Sequence, residues 1–204
     1  MKNVATHLVF ILLNICLINY SYAANSTEKN LGTDQQLADI IQNHEAFYLK
    51  SSPFNQPEIA GNNAKLPDLS EEFLLAQYQQ GLVIYQQLIA LDNEKLSLEN
   101  QINYSVLSYS LKNQLDSYIS KEHYMPLTAE SGFHVWIDSI SKQVDFKTVT
   151  DYQDYLARLS LLPTYFAQQT YWMKKGLDSG ISQPKIVLKG FEQSIAAYIK
   201  EDVT

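Results

Sequence analysis

The chain carries four histidines, His7, His44, His123 and His134, and their spacing decides which metal chemistry is open to it. A zinc peptidase site needs two imidazoles one helical turn apart with a glutamate beside the first, so that both nitrogens reach one metal and the carboxylate activates its water. His44-Glu45-Ala46-Phe47-Tyr48 begins that pattern, but Tyr48 stands where the second imidazole belongs. No other two histidines lie at ligand spacing, so this chain is expected to hold no catalytic centre, no metal and no cofactor of its own. His44 then reads as a half-buried member of an apolar helix face. His123, beside Glu122 at a helix end, reads as a cation set against the negative end of the helix dipole. His134 differs, because it follows Gly132 and Phe133 in a segment without helical period, and such segments line clefts when they lie against a helical scaffold. It is the candidate for contacting a ligand, with a hydrogen-bonded structural histidine as the blander reading.

Other chemistry is sparse. The carboxylate pairs Glu71 with Glu72 and Asp151 with Asp154 fall at helix starts, where compensation of the dipole accounts for them and no general acid is implied. The fourteen tyrosines could form a stacking surface for sugars or peptides. Most fall on apolar helix faces, so core and interface roles are the expectation. Arg158 is the single arginine; placed four residues after Asp154, it is expected to point outward as a surface pair. There is no Gly-rich phosphate loop, and the only cysteine is Cys16.

These residues are positioned by helices whose limits are written locally. Thr33 with Gln36 has capping-box spacing, and Leu37, Ile40, Ile41, His44, Phe47 and Tyr48 make a stripe that ends before Ser51-Ser52-Pro53. Pro53 to Pro67 reads as a loop. Ser70 caps a second helix whose face is Leu74, Leu75, Tyr78, Leu82, Tyr85 and Leu88, with Gly81 suggesting a close crossing. A third runs from about Ser97 to Lys121 with Tyr104, Leu107, Leu111, Leu115 and Tyr118 inward. Ile102, Val106 and Tyr109 widen that stripe and predict contacts on two sides. Tyr124 to Ile137, with Pro126, Gly132 and Val135-Trp136-Ile137, predicts an extended segment or a small hairpin.

Three helix boundaries then follow in succession. Thr150 with Gln153 predicts a capping box, followed by Tyr152, Tyr155, Leu156, Leu159 and Leu162 on one face. Pro163 ends that helix and opens the next, which carries Tyr165, Phe166, Gln169, Trp172, Met173 and Leu177 and closes at Gly180. Pro184 is expected to start a last helix running to about Lys200, with Val187, Phe191, Ile195 and Tyr198 inward. The fold class is therefore all-α, a multi-helix array of about six helices with one short extended segment or hairpin, occupying 33–204.

The first 23 residues belong to targeting. Lys2, an apolar run from Leu8 to Ile18, and Ser21-Tyr22-Ala23 form a secretory signal peptide cleaved between Ala23 and Ala24, since the run is shorter than the roughly 20 residues a spanning helix needs. Residues 24–32 read as a flexible mature N-terminus, and the protein as periplasmic or secreted. Cleavage would remove Cys16, leaving a chain stabilised by packing alone. With 22 acidic against 15 basic side chains, one of which is Lys2, the surface disfavours nucleic acid and stable membrane association after cleavage.

The run of boundaries from Asp145 to Leu188, together with Met125 to Ile137, resembles the bacterial "domain of unknown function 885" family. There a tyrosine-rich helix, a leucine-proline break, an apolar helix ending in Gly and a Pro-Lys start follow one another. The resemblance spans about Gln36 to the end of the chain and corresponds to the N-terminal half of the family fold. It implies a mostly helical, often exported protein that looks like a zinc metallopeptidase, with zinc expected only in a C-terminal half that carries HExxH and is absent from this sequence. Two readings follow: a helical part, inactive alone, that forms one wall of a cleft against such a C-terminal half and a peptide ligand, or a free-standing periplasmic binding or interaction module. Uncovered apolar surface on the last three helices would favour the first.

Overall fold

Apart from Trp136, the computed structural model describes residues 32–52 and 61–196. The leader expected over residues 1–23 with its expected cleavage site at Ala23 and Ala24, the polar stretch up to residue 31, residues 53–60, and the chain from residue 197, including Tyr198 and Lys200, lie outside the described residues. Helix α1 covers 32–51, α2 Glu71–Ile89, α3 Leu98–Ile119, α4 the single turn Ile137–Ile140, α5 Val149–Ser160, α6 Leu162–Asp178 and α7 Phe191–Ala196. The fold is all-α, and the described residues contain no strand, only an isolated antiparallel bridge between Leu127 and Gly132. Two compact units are present: residues up to Glu45 with Leu82–Lys112, and Ala46–Gly81 with Asn113 onward.

In the first unit Leu37 and Ile40 of α1, Ile84 and Leu88 of α2, and Leu96 and Leu111 are buried. The Asp34 carboxylate accepts a hydrogen bond from the Ser97 amide at 3.0 Å, which fixes the start of α1 to the start of α3. The inward stripe of α3 is as expected, but Ile102, Val106 and Tyr109 are 61%, 64% and 71% exposed, so the helix buries one side and not two.

The second unit is organised around α5 and α6. Ile140, Leu66 and Tyr165 form a buried cluster against which Leu69, Phe133, Ile137, Tyr155 and Leu162 pack. Ser70 caps α2 by accepting from the Phe73 amide, with Glu71 and Glu72 in the first turn. Pro163 sits in the first turn of α6 as its fixed φ requires. Gly180, at φ +72°, closes that helix, with the Ile181 amide donating back to the Gly176 carbonyl at 2.8 Å. Gly81 is buried, yet a Cβ there would meet Leu115 at an ordinary 3.6 Å, so no close crossing depends on it. Gly176 is the glycine that packing demands: a Cβ would lie 2.6 Å from the Ile181 carbonyl and 3.2 Å from Tyr124.

Four expectations are corrected. The capping box of α5 is Thr148 with Asp151, two residues before Thr150 and Gln153; the Asp151 carboxylate accepts from the amides of both Thr148 and Lys147. A charged acceptor of two amides at the positive end of the dipole outcompetes a neutral glutamine. Second, the chain turns repeatedly over residues 185–190 after Pro184 and becomes helical only at Phe191, after Gly190 at φ +96°. Third, the hairpin lies at 127–132, where the Thr128 amide donates to the Ser131 carbonyl at 2.7 Å, while Ile137 belongs to a helical turn. Isolated β-branched residues without a paired strand have no sheet to join.

The fourth correction concerns Arg158, which is 0% exposed. Its Nη2 donates to the Asn62 carbonyl at 2.9 Å and to Asn63 Oδ1 at 3.4 Å, binding α5 to the short 3₁₀ turn Asn62–Ala64. Helix α5 is accordingly rotated from the expected face. Asp154, Tyr155, Arg158 and Leu159 turn inward, and Tyr152 and Leu156 are 54% and 64% exposed. Burial lowers the guanidinium pKa, and the Asp154 carboxylate acts to raise it. Replacing Arg158 with Ala should therefore lower unfolding free energy by about 3 kcal/mol, because a buried acceptor loses its donor and a large side chain leaves a void. Leu156→Ala, on the exposed side of the same helix, should cost less than about 0.5 kcal/mol. Urea denaturation of both variants checks this, and equal losses would refute the assignment.

Candidate functional site

The end of α3, the turn after it and the facing sides of α2 and α6 bring together a cluster of aromatic rings. Lys121 terminates α3 in the left-handed conformation, φ +59°, and the 3₁₀ turn Glu122–Tyr124 folds the chain back. That turn presents His123 and Tyr124 toward α6. The Tyr78 ring from α2 stacks on Tyr118 of α3 at 4.7 Å between centroids, and Tyr118 stacks on His123 at 5.3 Å. The far end of this three-ring ladder meets Trp172 of α6 edge-on at 4.5 Å, and Trp172 in turn stacks on Tyr124 at 5.4 Å.

Polar contacts lock α6 onto the start of α2. The Trp172 indole donates to the Leu69 carbonyl at 2.7 Å, and Gln168 accepts from the Leu69 amide while donating to Asp68. Lys175 donates to Glu71 at 2.6 Å, the Tyr171 hydroxyl donates to the other Glu71 oxygen at 2.6 Å, and the ammonium rests over the Trp172 ring at 5.0 Å. Hydrogen bonds from Lys175 and Tyr171 hold Glu71 below the usual carboxylate range, and the same contact raises Lys175. Glu71 thus does more than compensate a dipole, since it also receives α6.

His123 binds a proton less readily than a free imidazole. Burial lowers its pKa, and the nearby Lys175 and Lys121 lower it further against the pull of Glu71. The residue that closes α3 is Lys121 in the left-handed conformation, so the expectation that His123 forms that cap is corrected. Burial likewise lowers His44, half-buried on α1. His134, the ligand-contact candidate, is 3% exposed and lies edge-to-face with Phe133 and with Phe191 of α7. It edges a hollow of about 240 Å3 that Glu130, Ser131 and Lys189 also line. Among the described residues no three His, Cys, Asp or Glu side chains are grouped so as to hold a metal ion. No helix among them is long and apolar enough to cross a membrane.

Residues 53–204 match the family described as bacterial protein of unknown function, domain of unknown function 885. The chain belongs to this family. The match begins at residue 53, after α1, and takes in α2 to α7 and the whole ring ladder, so the family region starts later than the resemblance from Gln36 suggested. No curated protein and no solved structure matches the chain.

The signal for the ladder was present but divided. Tyr78 and Tyr118 were legible as inward residues of their own helices; the pairing of Lys175 with Glu71, 104 residues earlier, has no local trace. The ladder carries a pH prediction. An unfolded histidine titrates near 6.5, and His123 titrates lower when folded, so the unfolded chain binds the proton more readily. Its contribution to stability is complete above pH 6.5 and is lost as pH falls through that value toward the folded pKa. Thermal midpoints recorded from pH 8 to pH 5 should fall more steeply for the wild type than for His123→Gln, with His44 common to both. Parallel curves would reject a lowered pKa for His123.

Proposed function

We propose that this chain is the helical part of a domain of unknown function 885 protein that forms one wall of a substrate cleft and is inactive as a hydrolase by itself. The observation that carries this reading is the apolar surface of the second unit. Val149, Tyr152 and Leu156 on α5 are 74%, 54% and 64% exposed, and Leu177 on α6 and Ile186 beyond it are 66% and 75% exposed. A hollow of about 910 Å3, bordered by Leu177, Gln183, Ile186 and Leu188, lies against these last residues. Large apolar side chains left in water on α5, at the end of α6 and beyond it are what a partner would cover, and they support this reading. In this reading the contacting element is a C-terminal half of the family fold that brings the zinc site, and a peptide is held between the two.

The test is direct. The purified protein should bind a hydrophobic dye and associate reversibly. Substituting Leu177 and Ile186 together by Lys should cut dye binding several-fold while changing stability by less than about 1 kcal/mol, because both side chains are already exposed. Unchanged dye binding in the double variant, or a dye-negative monomer to begin with, would sink this reading and leave a free-standing module.

We also propose export through the leader. Lys2, the apolar run and Ser21-Tyr22-Ala23 support cleavage before Ala24. Periplasmic protein should have the intact mass of a chain beginning at Ala24; one retaining Met1 would reject it.

A further inference from the structure

The ring ladder is flanked by two hollows of opposite polarity, both lined by Tyr78, Tyr118 and His123. The first, about 180 Å3, adds glutamines and the Glu122 carboxylate, which already accepts from the Ser117 hydroxyl at 2.8 Å. The second, about 250 Å3, sets two ammonium groups, Lys121 and Lys175, against one carboxylate, Glu71, between walls of Tyr124 and Trp172. Both ammoniums are held over ring faces, Lys175 at 5.0 Å from Trp172 and Lys121 at 5.5 Å from Tyr124.

Lys121 is the unusual element. It occupies the left-handed position after a helix, where glycine is favoured and a side chain is strained. Non-glycine residues held in such conformations cluster at ligand sites. The strained residue here is one that delivers a positive charge to an aromatic hollow, in a protein whose net charge is −7. Of the three N–H donors on Lys175, two are taken among the described residues by Glu71 and Tyr171, and one remains for a ligand.

We propose that this second hollow binds a small organic anion, a carboxylate carried on a flat or apolar body. Lys121 and the remaining donor of Lys175 would meet the carboxylate, and the exposed Ile119 side chain with the edge of the Tyr118 ring its body. A single anionic charge is favoured over phosphate, because the hollow offers no guanidinium fork and its two ammoniums exceed the Glu71 carboxylate by only one charge. Its volume is below the roughly 300 Å3 at which drug-sized pockets begin, which suits a single ring. The assignment is independent of the wall reading above, since it uses none of Val149, Tyr152, Leu156, Leu177 and Ile186.

Benzoate and benzamide share shape and differ in charge, so they isolate the anion. With the protein in solution, the imidazole Cε1–H resonance of His123 should move on titration with benzoate, and its pKa should rise as the anion stabilises the imidazolium. The other charged or titratable groups around it, Glu71 and Tyr78 on α2, Tyr118 on α3, Lys121, Glu122 and Tyr124 in the turn and Lys175 on α6, are constant between the two probes. Lys121→Gly is the informative variant. Glycine suits the left-handed backbone, so the melting temperature should rise, while benzoate affinity should fall by about fivefold, the worth of one partly exposed ion pair. Equal responses to benzamide and benzoate, unchanged benzoate affinity in Lys121→Gly, or a motionless His123 resonance at tens of millimolar benzoate would each overturn the proposal.

Discussion

The guanidinium of Arg158 is the constraint on which the second unit depends. Placing a charge at zero exposure costs several kcal/mol in lost hydration, which only well-placed acceptors offset. The acceptors are the Asn62 carbonyl and Asn63 side chain of the 3₁₀ turn, with the Asp154 carboxylate nearby on α5 itself. The turn cannot move from α5 without stranding that charge. Leu66, four residues beyond Asn62, is thereby delivered into the cluster with Ile140 and Tyr165, and Leu69 follows to meet Gln168 and Trp172. One buried cation therefore sets the path of the chain from the turn to the start of α2.

That path could not be read from residue pattern. Arginine four residues after aspartate on a helix is the usual signature of a solvated pair, and periodicity weighs a charged residue as outward. The structure inverts both because the acceptors come from about 95 residues earlier. Where the determining contacts are local, the reading succeeded: Ser70 at the start of α2, Pro163 in the first turn of α6, Gly180 at its end, and the Tyr104-to-Tyr118 stripe of α3 all lie as their spacing implies. The capping box of α5 failed by two residues because two competing boxes overlap, and a carboxylate at Asp151 wins over an amide at Gln153 for electrostatic reasons that a pattern does not rank.

The candidate site divides along the same line. Its tyrosines were legible as apolar faces of separate helices, and its histidine as the residue at a helix end. What makes the site is the convergence of α2, α3, the Glu122–Tyr124 turn and α6, which turns three ordinary inward rings into a continuous stack and gives Glu71 a lysine and a tyrosine as partners. The lowered pKa of His123 owes its burial and the Lys175 charge to that convergence, with its sequence neighbour Lys121 acting in the same direction.

Gly176 sets a limit on how this protein can be altered. It occupies the last turns of a helix, where alanine would ordinarily be preferred by about 1 kcal/mol, yet the Ile181 carbonyl and Tyr124 both occupy the space that a methyl group would need. Stabilisation strategies that replace helical glycines according to propensity would pass safely over Gly81, where a methyl group would make only an ordinary contact with Leu115, and would at Gly176 pry the turn bearing His123 and the segment after Gly180 away from α6 together. Two glycines in helices of one chain thus carry opposite engineering advice, and only the tertiary contact tells them apart.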